Sequence, residues 1–195
     1  RHCALARNTQ GGGCLMTSSL QNAAMLSIPV KLLLLDVDGV LTDGRITYNS
    51  DQQELKSFHI HDGLGIKLLQ GNDIQVGIIT GRNSLMVERR AQELGISLLI
   101  QGREDKWAAM QAVQEQLGLS SQQIAYMGDD LPDLAAIRHA GLGIAPANAV
   151  AIVRQHADVV TACSGGNGAV REAAEFILGA RGLLDSVHQR YLGGN

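Results

Sequence analysis

The sequence predicts an α/β fold: a Rossmann-like, three-layer, doubly wound parallel sheet with a β-hairpin insertion. Three observations predict it. From Pro29 to Leu178, short apolar runs alternate with helical patterns, as in a parallel sheet covered by helices on both faces. Leu32-Leu33-Leu34-Leu35 reads as a strand buried on both faces. This run and two later ones stop at Asp36, Thr80 and Asp129, polar groups at the carboxyl edge where open α/β sheets keep their ligands.

The elements follow in order. The first strand spans Lys31 to Asp36, and Gly39 lets the backbone after it turn and approach a ligand. Arg45 to Tyr48 and Glu54 to Ile60 flank an Asn49-Ser50-Asp51 turn, which predicts a hairpin with one face packing on something outside the domain. Asp62 is expected to cap a helix from Gly63 to Gln70, closed by Gly71. A strand over Gln75 to Thr80 follows, then a helix from a cap at Asn83 to Leu94, closed by Gly95. Ile96 to Ile100 is a third strand, Asp105 to Leu117 an amphipathic helix ended by Gly118, and Ser120 or Ser121 opens a connecting turn. Ile124 to Met127 is the fourth strand, and Pro132 suits the first turn of the next helix, which runs to Ala140. Strands at Leu142–Ile144 and Asp158–Val160 alternate with helices at Ala149–His156 and Ala169–Leu178.

Composition bounds the function. A chain of 195 residues suffices for one domain with a full core, and a 45% hydrophobic share is ordinary for a globular domain. A net charge of −3 gives no sign of a nucleic-acid partner, and no apolar run approaches the roughly 18 residues of a membrane span. Cys3, Cys14 and Cys163 are scattered, without CxxC spacing; this fits a reducing cytoplasm better than a disulfide framework. Residues 1–27 are expected as a disordered extension, 28–180 as the domain carrying the hairpin at about 45–60, and 181–195 as a tail without strong periodicity. Arg1 to Leu15 lacks the apolar core of a signal peptide, and Met16 or Met25 is the expected natural start.

The polar groups at the strand ends form one set. Asp36 and Asp38 end the first strand, Thr80 the second, and Asp129 and Asp130 the fourth, with Asp133 one turn later. Lys106 opens the helix after the third. Individually each has a plain structural use, as a β-branched strand residue, a solvated lysine or a helix cap; convergence of all of them on one edge points to a site. Two carboxylates as close as Asp36 and Asp38 repel and require a cation, a shared proton or both. No P-loop, HExxH or GxSxG occurs, and Val40 breaks the ligand spacing of an EF-hand.

In their order, Asp36-Val37-Asp38-Gly39-Val40, Thr80, Lys106 and Gly128-Asp129-Asp130-x-x-Asp133 resemble the four motifs of the haloacid dehalogenase-like phosphohydrolase superfamily. The resemblance implies Asp36 as nucleophile and Asp38 as general acid/base. Elementary chemistry accounts for the types. Aspartate can attack phosphorus to give an aspartyl-phosphate. A hard cation must lie between that carboxylate and a phosphate dianion, and Mg²⁺ suits, with Asp36, Asp129 and the Asp38 carbonyl as its expected ligands. Lys106 offsets charge, the Thr80 hydroxyl and Gly81 amide hydrogen-bond phosphate, and Asp130 and Asp133 orient metal waters or Lys106.

Roughly 40 residues separate Asp38 from Thr80 and roughly 25 separate Thr80 from Lys106, too few for a cap domain of the usual size of about 100. Within the superfamily, Asp36 to Gly44, Phe58-His59-Ile60-His61-Asp62-Gly63, Ile79-Thr80-Gly81-Arg82 and Gly165 to Glu172 resemble the 3-deoxy-D-manno-octulosonate 8-phosphate (KDO 8-phosphate) phosphatases. That resemblance implies an Mg²⁺-dependent homotetramer joined through its hairpins, acting in lipopolysaccharide biosynthesis. Arg82 is the expected site for the sugar-acid carboxylate. The glycine run before Arg171 is a weaker candidate for the phosphate loop, and the tail with Arg190 and Tyr191 for reaching a neighbouring site. Two other readings stay open: a phosphatase of nine-carbon sugar-acid 9-phosphates, and a non-enzymatic phospho-aspartate receiver. In receivers the acid pair precedes the phosphorylated aspartate, whereas Asp129-Asp130 follows Lys106. An inactive scaffold built around the hairpin does not account for the intact acid–threonine–lysine–acid set.

Overall fold

The computed structural model describes residues 29–193; the extension expected over residues 1–27 lies outside the described residues. Six parallel strands form the main sheet: β1 (Leu32–Leu35), β4 (Gln75–Ile79), β5 (Leu98–Ile100), β6 (Ile124–Met127), β7 (Leu142–Ala145) and β8 (Val159–Val160). Their spatial order is β5-β4-β1-β6-β7-β8. The order reverses direction at β1, which pairs in parallel with β4 on one side and β6 on the other. The crevice at the end of β1 is therefore a topological switch point.

The leucine run divides the protein into its layers. Successive strand side chains point to opposite faces. Leu33 and Leu35 join Ile66 and Leu69 of α1 (Ile60–Gln70), Val87 and Ala91 of α2 (Leu85–Leu94), and Val170 and Ile177 of α6 (Ala169–Ala180). Leu32 and Leu34 join Met110 and Val113 of α3 (Lys106–Leu117), Ile137 of α4 (Leu134–His139), and Val153 of α5 (Ala151–His156). All four leucines are fully buried, as both-face burial requires. No helix among the described residues is long and apolar enough to cross a membrane.

Between β1 and β4 stand only the hairpin, β2 (Thr47–Tyr48) with β3 (Glu54–Leu55), and α1. The hairpin is an antiparallel two-stranded sheet of its own. Asn49 organises its turn, its side-chain oxygen accepting from the amides of Asp51 (3.0 Å) and Gln53 (2.8 Å).

Several local expectations give way to tertiary packing. α1 begins at Ile60, with His59 at its N-cap, rather than at Gly63 behind Asp62. Asp62 is buried and caps a different helix: it accepts from Arg171 (2.8 Å) and Gly168 (3.3 Å) at the start of α6. Ser84 rather than Asn83 precedes α2. Pro132 sits in a short 3-10 turn, Leu131–Asp133, ahead of α4. The tail expected without periodicity forms α7 (Leu184–Tyr191), with Val187 buried in the α1/α6 core and Leu184 packed against it.

The glycine run before α6 has a structural task. The Gly166 amide donates to Val40 (2.9 Å) and Gly165 to the Asn148 side chain (2.7 Å), so this loop braces the turn after β1 from behind. A Cβ at Gly165 would run into the Gly39 carbonyl. Gly165→Ala should therefore cost about 2 kcal/mol, the usual scale of overpacking, and lower the melting temperature by several degrees in thermal denaturation. An unchanged melting curve would remove this loop as a brace.

Candidate active site

The site is assembled from strand ends. β1 delivers Asp36, whose amide bonds the Met127 carbonyl (3.0 Å) and so extends the β1–β6 ladder to the carboxylate itself. The chain then turns tightly: the amides of Val40, Leu41 and Thr42 all converge on the Val37 carbonyl. Gly39 takes φ +92°, and a Cβ there would meet the Asp129 carboxylate. Glycine is thus what lets the β1 turn and the β6 turn approach each other. β4 delivers Thr80, buried, its amide on the Ile100 carbonyl (2.9 Å). α3 delivers Lys106 from its first position, directly after the capping Asp105.

Asp36, Asp38, Thr80, Gly81, Arg82, Lys106, Asp129, Asp130 and Asp133 all line one cavity of about 370 Å³, together with Gly44, Glu104 and Pro132. The structure thus brings the residues singled out from sequence to a single place. The glycine run 165–168 is not among the lining residues; it packs behind the β1 turn.

Lys106 is the buried cation of this cluster. Its Nζ lies 2.8 Å from Asp36 Oδ1 and 2.9 Å from Asp133 Oδ1. Asp133 is fully occupied as an acceptor: Oδ1 also takes the Tyr126 hydroxyl (2.8 Å), and Oδ2 takes the amides of Asp129 (3.1 Å) and Asp130 (3.3 Å). It is therefore a brace that orients Lys106 and shapes the β6 turn. Asp130 spends its side chain on the Leu131 amide (2.8 Å), capping the turn that follows.

Too many carboxylates share this space for the cations present. Oxygens of Asp36, Asp129 and Asp133 lie within 4.8 Å of one another. Asp36 is pushed up to about 7, by burial first and Asp133 next, with Lys106 pulling the other way. Asp129 is likewise pushed up to about 7, by burial and by repulsion from Asp36, Asp133 and Asp130. Asp129 Oδ1 is buried without a hydrogen-bond partner. A buried, unpartnered carboxylate oxygen beside a second carboxylate is the donor set a hard divalent cation takes. Asp36 and Asp129 fit Mg²⁺, and Asp133, with its acceptors spent, supports them. The cation supplies the positive charge that lets these acids ionise together.

Three site residues escaped sequence reasoning. Lys56, from the end of β3, reaches inward and forms an ion pair with Asp38. Glu54 lies 3.1 Å from the same Lys56 and bonds Arg82 at 2.7 Å. The signal was available: Glu54 and Lys56 are two apart in a predicted strand and so share one of its faces. Tyr126 is the third, a fully buried tyrosine whose hydroxyl needs a partner; burial and Asp133 hold it well above the usual tyrosine range. Arg82, expected to be open for a substrate carboxylate, is engaged by Glu54.

The raised carboxyls set a pH dependence. Between the ordinary carboxylate range and about 7, the folded chain keeps protons that the unfolded chain has lost, so without a cation stability falls as pH rises through that window. Mg²⁺ replaces those protons. Millimolar Mg²⁺ should therefore raise the melting temperature by more at about pH 8 than at about pH 5.5, read by scanning fluorimetry; equal shifts at the two pH values would contradict the placement of the cation on Asp36 and Asp129.

Comparison with known proteins agrees with this architecture. Residues 99–172 match the haloacid dehalogenase-like hydrolase family. The 3-deoxy-D-manno-octulosonate 8-phosphate phosphatase KdsC of Escherichia coli K12 is 44% identical over 156 residues, 80% of this chain and 83% of that protein. A crystal structure of the Moraxella catarrhalis phosphatase of the same name, in complex with a magnesium ion, a phosphate ion and KDO, is 46% identical with a TM-score of 0.85, covering 88% of this chain and 98% of that one. The cobalt-bound Haemophilus influenzae enzyme is 40% identical with a TM-score of 0.81, covering 86% of this chain and 99% of that one. With its motifs, its capless sheet and this degree of identity over nearly the whole length of its relatives, the chain belongs to the 3-deoxy-D-manno-octulosonate 8-phosphate phosphatase family of haloacid dehalogenase-like hydrolases.

Proposed function

We propose that this protein is an Mg²⁺-dependent phosphoric monoester hydrolase that converts KDO 8-phosphate to KDO and phosphate through an aspartyl-phosphate. The observation that carries the substrate is the 46% identity to a phosphatase whose structure contains magnesium, phosphate and KDO. The local geometry supports the chemistry. Asp36 attacks phosphorus, and Lys106 beside it (2.8 Å) offsets the charge that builds on the phosphoryl oxygens. The Thr80 hydroxyl and Gly81 amide bind phosphate from the end of β4. Asp38 protonates the departing sugar alkoxide, then takes a proton from the water that opens the intermediate. Asp36, Asp129 and the Asp38 carbonyl hold the Mg²⁺, which neutralises the phosphate against these acids. Arg82 receives the sugar carboxylate, exchanging Glu54 for it as an equivalent partner.

Without a cap domain, closure of the site falls to the hairpin. The hairpin exposes Ile46, Tyr48 and Leu55, with Ile60 exposed just beyond it. A two-stranded hairpin is marginal alone, and such exposed apolar side chains suit packing against other copies of the chain; we take the assembly to be a homotetramer joined there. The scattered cysteines and the substrate's place in lipopolysaccharide biosynthesis suit the cytoplasm.

Phosphate release from KDO 8-phosphate, with and without Mg²⁺, beside a nine-carbon sugar-acid 9-phosphate and an aryl phosphate, tests the substrate. Metal-dependent preference for KDO 8-phosphate is the expected result; preference for the 9-phosphate would replace the substrate and keep the mechanism. Asp36→Asn should abolish turnover while leaving the melting temperature near that of the parent. Retained activity would remove Asp36 as nucleophile. Replacing residues 46–55 by a short turn should reduce the sedimentation coefficient to that of a smaller assembly, and an unchanged profile would end the hairpin's role in it.

A further inference from the structure

The hairpin sends charge inward as well as apolar surface outward. Leu55 between them is exposed, while Glu54 and Lys56 share the face that looks onto the site. The Lys56 side chain is 2% exposed, an environment in which an ammonium group is stable only when paired. Its partners are Asp38 and, at 3.1 Å, Glu54. Glu54 is held from its other side by Arg82 at 2.7 Å. Charge therefore alternates along Arg82, Glu54, Lys56 and Asp38, and the ammonium in the chain is fixed from both ends.

Asp38 needs such a partner. Asp36, Asp129 and Asp133 converge within 4.8 Å as the cation-binding cluster, and the Asp38 carboxylate stays out of that group. A divalent cation would draw in a carboxylate standing only two residues along the chain from Asp36. Once bound to metal, that carboxylate could not exchange protons with a leaving group. Among the described residues, Lys56 donates a hydrogen bond to the Asp38 carboxylate. We infer that Lys56 is a positioning residue: its ammonium holds the Asp38 side chain out of the cation cluster and keeps it available to the leaving-group oxygen, with Glu54 anchoring the ammonium from its other side. This rests on the reading of Asp38 as the acid/base. It makes the hairpin part of the chemistry within a single chain, apart from any part it plays between chains.

Leaving-group dependence tests the inference. A nitrophenolate departs without a proton, whereas a sugar alkoxide needs one, and kcat/KM reports the steps through that departure. KDO 8-phosphate and p-nitrophenyl phosphate are compared for the parent, Asp38→Asn, Lys56→Met and Lys56→Arg. Lys56→Met should lower kcat/KM on KDO 8-phosphate about 100-fold, the scale of a lost general acid, and about tenfold less steeply on the aryl phosphate. Lys56→Arg should recover part of the difference. Equal losses on the two substrates, or no loss, would overturn the inference. If Asp38→Asn shows the leaving-group signature and Lys56→Met does not, the Lys56 role alone fails; if Asp38→Asn lacks it, the acid/base reading fails and takes this one with it. Melting curves and calorimetric Mg²⁺ titration establish that each variant is folded, and Lys56→Gln serves in place of Lys56→Met if burial of the methionine prevents folding.

Discussion

Crowding of negative charge at the end of β1 and β6 is the constraint on which the rest depends. Asp36, Asp129 and Asp133 share less than 5 Å of space in a largely buried setting, where unpaired charge is costly. The fold meets part of that cost with Lys106, placed between Asp36 and Asp133 by the first turn of α3. It meets another part by giving Asp133 to backbone amides and the Tyr126 hydroxyl. What remains is a pair of acids held near neutrality, and one buried oxygen on Asp129 with no protein donor. A site left in that condition by its own protein is built to be completed by a cation.

Much of the architecture serves that point. Burying β1 on both faces fixes Asp36 at the switch point of the sheet. Gly39 lets the β1 turn close on Asp129, and the loop at Gly165 and Gly166 supports the turn from behind. Asp62, capping α6 from α1, ties that supporting loop to the helix following the hairpin. A displacement of any of these would move a carboxylate, and carboxylates this close tolerate little movement, because their repulsion and their shared cation both vary steeply with distance.

The hairpin reaches the cavity with far fewer residues than a cap domain has. One strand face carries Glu54 and Lys56 into the cavity; Leu55, paired with Thr47 across the hairpin, is exposed on the other. Period-two alternation lets a four-residue sheet do both. Arg82 joins this arrangement from the end of β4, so the group best suited to a sugar carboxylate is already bound to an internal carboxylate.

The sequence by itself determined the alternation of strands and helices, the layers, and the acids, threonine and lysine that meet at the carboxyl edge of the sheet. Leu32 to Leu35, the alternation of runs and helices, and the polar strand ends are local patterns, and local patterns survive folding because a parallel sheet places every strand's carboxyl end on one edge. Tertiary structure alone decided what those groups touch. Asp62 looked like the cap of its own helix and became the cap of α6, more than a hundred residues away. Arg82, expected to meet a substrate carboxylate, is paired with Glu54, while Lys56, which no sequence motif singles out, is buried against Asp38. Residues 184–191 lack the composition of a strong helix and form one once Val187 is buried against the core. In each case the deciding term is a partner distant in the chain: capping, charge pairing and burial are energies of contact, and a sequence fixes which contacts are possible without fixing which are made.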